Sequence, residues 1–141
     1  TLKAWHGVDT LIEALALLAT DTTSGVGTDY RLLLVGDGPE APAVRELAAA
    51  RGIADRVELT GAVTPEQVPA LLHRIDIAAA PYPAIDGFYF SPLKVYEYLA
   101  AGLPVVASAV GELPGLLDHP VHGELGRLVP AENPQALADA I

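Results

Sequence analysis

Residues 86–108, DGFYFSPLKVYEYLAAGLPVVAS, set a helix start suited to an anion beside one acid a turn further in. Ser91 is a good N-cap, and Pro92 suits the first helical position, where the absent N–H has no intrahelical partner to lose. The helix is expected to run to about Ala101 and to stop at Gly102. Its first amides, those of Leu93 and Lys94, then point out of the positive end of the helix dipole, where a phosphate gains ~0.3–2 kcal/mol before any side chain helps. Glu97 stands ~5–6 Å along the axis from those amides. That offset suits a carboxylate accepting hydrogen bonds from a ribose whose diphosphate caps the helix. The same spacing also describes an ordinary capped helix that ends in glycine before a valine-rich strand, so both readings stand at this level.

The remaining elements must hold this segment in place. Val8, Leu11, Ile12, Leu15 and Leu18 recur at three- and four-residue steps, which predicts an amphipathic helix over residues 8–19. Short apolar strands are expected at 30–35, 56–60, 76–80, 104–107 and 126–129. Helices are expected at 41–51, 64–73, 111–117 and 133–141. The strands are nearly continuous in apolar residues rather than alternating, and they alternate along the chain with helices. This predicts an α/β domain, a Rossmann-like parallel sheet with helices on both faces. Ligands of such sheets bind beyond the carboxyl ends of the strands, so the loops at 1–7, 36–40, 61–64 and 81–91 form the candidate rim.

Composition narrows the function. A chain of 141 residues with 51% hydrophobic content supports one core and reads as one domain. A net charge of −10 disfavours nucleic acid and anionic membrane surfaces, and it leaves an anionic ligand dependent on helix amides and a few local cations such as Lys3, His6 and Lys94. With no cysteine and four scattered histidines, no metal-ligand spacing is visible. No apolar run is long enough to span a bilayer and no leader pattern is present, which predicts a soluble, cytoplasmic domain. The chain opens at Thr1, contains no methionine and stops inside a helical pattern, so both ends read as cut from a longer polypeptide.

Glu97 and the run Tyr98-Leu99-Ala100-Ala101-Gly102-Leu103-Pro104-Val105-Val106-Ala107 resemble the donor-site signature of family 4 glycosyltransferases. In that family an acidic pair spaced Glu-x7-Glu precedes a small-residue helix end and a Gly-x-Pro-Val-Val-Ala strand. The opening helix, Val8-Asp9-Thr10-Leu11-Ile12-Glu13-Ala14, is similar to the family's Val-Asp-x-Leu-Ile-x-Ala. The resemblance extends over the whole chain and is most specific around Glu97. It implies one half of the two-domain GT-B architecture: the C-terminal domain, over residues 1–141, of a retaining, metal-independent glycosyltransferase. That half binds a nucleotide diphosphate sugar as donor and needs no other cofactor. The acceptor-binding domain would precede Thr1 in the same polypeptide, and any membrane contact would be made through it. Without that domain the fragment is expected to be inactive.

The resemblance also implies roles residue by residue. Two cations grip the donor diphosphate in the family. Here His6 takes the lysine position, Thr1 the arginine position, Lys3 is the nearest cation, and Gly7 follows His6. A neutral His6 donates only one hydrogen bond, so its protonation or the reach of Lys3 is needed to supply charge. The amides of Leu93 and Lys94 and the cap Ser91 would hold the same phosphates, with Glu97 on the ribose. Gly36 and Gly38 would allow close approach of the backbone, and Ala62 and Val63 would border the nucleobase through backbone contacts, leaving uridine and guanosine both open. The first acid of the pair falls on Tyr89. Either Asp86, which is preferred, or Tyr89 would then serve the hexose. A nucleotide-sugar epimerase of the same architecture and a catalytically silent nucleotide-sugar-binding module are the alternatives.

Overall fold

The computed structural model describes residues 2–20, 29–86, 92–119 and 121–141. The elements alternate along the chain: α1 (Val8–Thr20), β1 (Leu32–Leu34), α2 (Ala41–Ala50), β2 (Val57–Leu59), α3 (Val68–Leu72), β3 (Ala78–Ala80) and α4 (Leu93–Ala100). They continue with β4 (Val105–Ser108), α5 (Leu113–Leu117), β5 (Asp118–His119), β6 (Gly123–Glu124), β7 (Arg127–Val129) and α6 (Pro134–Ala140). Single 3₁₀ turns cover Ala4–His6, Ala54–Arg56 and Pro65–Gln67.

The strands form two parallel ladders. β1 pairs with β2, Leu32 opposite Val57, and β4 lies between β3 and β7, with Val105 opposite Ala78 and Val106 opposite Arg127. Among the described residues no ladder joins β1 to β3, so the expected single sheet is present as two parallel pieces. β5 and β6 make a small antiparallel hairpin that the sequence pattern does not announce, since two residues per strand are too few to show alternation.

Burial follows from the strand pleat. All four residues of β4 are buried, and successive side chains enter opposite layers. Val105 and Ala107 join Val95 of α4 and Leu113 and Leu117 of α5, whereas Val106 joins Leu137 of α6. Helices therefore cover both faces, as the apolar strands require. α1 belongs to two clusters at once: Val8, Ile12 and Leu15 pack with Leu34 and Val44, while Leu11 and Ala14 pack with Val106 and Leu137. One amphipathic helix thus ties the two ladders together.

Two helix starts differ from expectation. Pro92 is itself the cap of α4, with φ −78° and ψ 48°, and Leu93 is the first helical residue. That ψ holds Pro92 outside the helix, where only its carbonyl is needed, and the carbonyl accepts from the N–H groups of Val95 at 2.8 Å and Tyr96 at 3.3 Å. Ser91, expected in this role, lies outside the described residues. Residues 64–73, expected as one helix, divide into the turn Pro65–Gln67 and α3, with the Gln67 side chain accepting from the Thr64 N–H at 2.8 Å. α6 starts as its sequence suggests: Asn133 caps it, Oδ1 accepting from the Ala136 N–H at 3.0 Å, and Pro134 follows.

Candidate functional site

A cavity of about 1220 Å³ opens between the two ladders. Its rim beyond the carboxyl ends of the strands is lined by His6, Gly36, Ala62, Val63, Lys94 and Glu97, which come from three different loops and the first turns of α4. The parallel topology accounts for this convergence, because every strand of both ladders delivers its following loop to the same end. Lys94 and Glu97, three residues apart on one helix, project from the same face, with Tyr98 beside them.

α4 presents its amino end here. The N–H groups of Leu93 and Lys94 lie ahead of the first intrahelical bond, which Val95 makes to Pro92. Glu97 is exposed at the cavity mouth. The ion pairs among the described residues are Arg31–Asp29, Arg51–Glu13, Arg56–Asp29 and Arg74–Glu58, so neither Lys94 nor Glu97 is engaged in one.

Tyr82 is buried behind the rim, in the loop 81–91 that the sequence placed there, and received no role of its own from the sequence. It stands in the segment Pro81-Tyr82-Pro83 directly after β3, and a strand end rich in proline beside an aromatic was the available signal. Its ring is buried at 3% exposure, and the Lys94 ammonium lies over it, 4.2 Å from the centroid. The His6 ring meets it edge-on at 6.4 Å, and the Trp5 ring meets His6 edge-on at 6.1 Å. Burial pushes the Tyr82 phenol up, and it pushes the Tyr98 phenol, which also feels Glu97, up to about 12.

These surroundings decide the charge of the rim. Burial holds the Lys94 ammonium down to about 8. His6 is held down to about 4, first by burial and then by the charge of Lys94. His6 is therefore neutral in the free chain at pH 7, so of the two sources of charge left open by the sequence, His6 protonation and Lys3, the first is disfavoured, and Lys94 is a cation at the mouth. Because the unfolded histidine titrates near 6.5, the unfolded chain binds the extra proton between pH 6.5 and 4. The stability held above pH 6.5 is therefore expected to fall as pH drops through this window, and to fall less in His6→Asn. The pH dependence of the thermal midpoint measures this, and superimposable profiles would take His6 out of that role.

Several other candidates stand away from the cavity wall. Lys3 extends over the Trp5 ring, its ammonium 5.6 Å from the centroid, instead of reaching the rim. Gly38 meets the chain itself: a Cβ there would collide with the backbone of Leu2, so the close approach foreseen for a ligand is used for packing. Gly7 is alike, with φ +63° and a Cβ position blocked by the Pro81 carbonyl oxygen. The Leu93 side chain is 67% exposed and contributes only its amide to this end of α4. Asp86 is exposed in a turn and does not line the cavity, and Tyr89 lies outside the described residues.

The profile of the family described as glycosyl transferases group 1 matches residues 1–141, and the chain belongs to that family. It is 29% identical over 140 residues to an alpha-D-kanosaminyltransferase of Streptomyces kanamyceticus, an alignment covering 99% of this chain and 33% of the relative. It is 30% identical over 141 residues to a GDP-mannose-dependent alpha-(1-6)-phosphatidylinositol monomannoside mannosyltransferase of Mycobacterium tuberculosis, covering 96% of this chain and 34% of that one. Anabaena HepE, solved in complex with UDP and glucose, superposes with a TM-score of 0.76 at 26% identity, over 99% of this chain and 35% of that one. The fold is that of a Rossmann-like domain of GT-B glycosyltransferases. The chain spans about a third of the length of these relatives.

Proposed function

We propose that this chain is the C-terminal, donor-binding domain of a retaining, metal-independent glycosyltransferase, and that it holds a nucleotide diphosphate sugar at the rim between the two ladders. The observation that supports this most is the joint placement of Lys94, Glu97 and the amino end of α4 beside Ala62 and Val63. The Leu93 and Lys94 amides and the Lys94 ammonium hold the diphosphate, with His6 as a neutral hydrogen-bond partner. Glu97 accepts from the ribose hydroxyls, and the backbone at Ala62 and Val63 borders the base. Asp86, or Tyr89 beyond it, serves the hexose. Gly7 and Gly38 act indirectly by fixing the loop that carries His6, and Ser91 precedes the helix that receives the phosphates. The donor is a substrate, and the acceptor is bound by a domain ahead of residue 1 in the same cytoplasmic polypeptide.

In this reading the rim supplies positive charge where the leaving diphosphate accumulates negative charge, in a partly desolvated setting that strengthens the interaction. The retained configuration is what the family resemblance implies, and it is tested separately, by the anomeric form of the product of the complete enzyme. With the acceptor site assigned to that other domain, chain 1–141 is expected to bind a UDP- or GDP-sugar and to transfer nothing. A thermal-shift panel of nucleotide sugars followed by calorimetry measures the first, and product analysis with added acceptors measures the second. Binding of no member of the panel, or glycosylation of an acceptor by the fragment, would contradict this assignment. Because Lys94 titrates near 8, affinity is expected to decline as pH rises through that value, and binding near pH 8 is expected to take up protons.

A further inference from the structure

Lys94 has a carboxylate within reach, yet its ammonium rests on a neutral ring. Glu97 stands three residues further along α4, a spacing at which a lysine and a carboxylate commonly meet. Among the described residues the two form no ion pair, and the ammonium lies over Tyr82, 4.2 Å from the ring centroid. A cation over an aromatic face is drawn by its π cloud, and more strongly where water is kept out. This is such a place. Tyr82 is buried in one cluster with Ala80, Val95 and Val105, and Val95 is the neighbour of Lys94 on α4. Burial pushes the Tyr82 phenol up, so the ring stays neutral through the range near 8 in which Lys94 titrates.

The ring is itself held from the strand end. Pro81 and Pro83 flank Tyr82, and the proline that follows it keeps its backbone out of the helical region. The Tyr82 N–H donates to the Ala80 carbonyl at 3.0 Å, which closes a three-residue turn directly off β3. The loop that carries His6 rests on the same tripeptide, because Gly7 lies against the Pro81 carbonyl oxygen and the His6 ring meets Tyr82 edge-on. A lysine stem has many rotamers to lose when its charge is fixed. Fixing it beforehand leaves less to be lost when an anion arrives.

We propose that Tyr82 is a positioning residue that acts through Lys94: its ring face seats the ammonium at the cavity mouth, beside the amino end of α4, so that the charge is in place before an anion arrives. The use of that charge rests on the diphosphate reading of the rim, whereas the seat is a property of the free chain. The ring also favours the charged form of Lys94 against its burial. The titratable groups around the ammonium are His6 and, beyond it, Lys3 in the loop over residues 2–7, Tyr82 after β3, and Glu97 and Tyr98 on α4.

Replacements at residue 82 of chain 1–141 test this, first without ligand. Lys3 and Lys94 are the lysines of the sequence, so the Lys94 Cε resonance can be followed by carbon NMR with Lys3 as the internal reference. In Tyr82→Leu the Lys94 titration is expected to move to lower pH, and in Tyr82→Phe, which keeps the ring face, to stay in place. Fluorinating a phenylalanine at this position step by step drains the ring face of negative charge at nearly constant shape, so each step is expected to lower the titration further. That series gives a result even where Tyr82→Leu does not fold. Calorimetry with UDP and with GDP then reads what the seat does for binding. At pH 7 affinity is expected to drop about 3- to 30-fold in Tyr82→Leu and to stay within about twofold in Tyr82→Phe. Adding Tyr82→Leu to Lys94→Met is expected to cost nothing more, since the two act as one unit. A Lys94 titration unmoved along the fluorinated series, or a loss as large in the Lys94→Met background as in the parent, would overturn the proposal. A parent chain that binds neither nucleotide contradicts the diphosphate reading instead, and the lysine titration then decides the seat by itself.

Discussion

Replacing Glu97 with alanine is expected to weaken binding of a nucleoside diphosphate sugar by about 1–3 kcal/mol, roughly 5- to 150-fold, while the fold stays intact. The effect is large because a carboxylate accepting two hydroxyl hydrogen bonds makes charge-assisted contacts that alanine cannot replace. The fold is spared because Glu97 is exposed and takes part in no ion pair among the described residues. Tyr96→Ala is the control: Tyr96 lies on the same helix, is 48% exposed and does not line the cavity. Calorimetry on the two variants should separate them by at least fivefold. An affinity unchanged in Glu97→Ala would remove the acid from the site and with it the ribose contact.

The second large effect concerns Gly7. Gly7→Ala is expected to destabilise the chain by at least about 3 kcal/mol, because strain in the left-handed region adds to a steric collision. At φ +63° an alanine is already unfavourable, and its Cβ would occupy the position of the Pro81 carbonyl oxygen, a backbone atom at the end of β3. Gly102 supplies the comparison. It has φ +72° and open space where a Cβ would go, so Gly102→Ala bears only the conformational cost of about 1 kcal/mol. Scanning fluorimetry should place the Gly7→Ala midpoint well below that of Gly102→Ala. Equal midpoints would show that the loop over residues 2–7 yields without consequence. Nucleotide affinity of the folded fraction should fall as well, since displacing this loop moves His6.

The order and type of the elements were legible because hydrophobic period and helix punctuation are local properties. The periodicity of Val8 to Leu18, the stop at Gly102 and the cap at Asn133 all appear in the structure. What was not legible depends on contacts between distant residues. Gly38 looked like a ligand-facing glycine because the sequence could not reveal that Leu2 lies against it. Lys3 looked available for a phosphate, but the Trp5 ring two residues away gives its ammonium a nearer partner. The charge of His6 is set by burial and by Lys94, 88 positions along the chain, and no local pattern encodes it. Tyr82 received no role for the same reason: its closeness to both Lys94 and His6 exists only after β3 and α4 have been brought together.

The ion pairs near the amino ends of the strands also polarise the cavity along its length. Arg74 closes on Glu58 through two contacts, at 3.1 and 2.7 Å, and Arg56 holds Asp29 at 2.9 Å, so the guanidinium groups near the amino ends of β2 and β3 are already answered by carboxylates. Lys94 at the opposite end lies over the Tyr82 ring and is in no ion pair among the described residues. In a molecule of net charge −10, the unpaired ammonium therefore makes this end, among the described residues, the more favourable side for an anion arriving from bulk water.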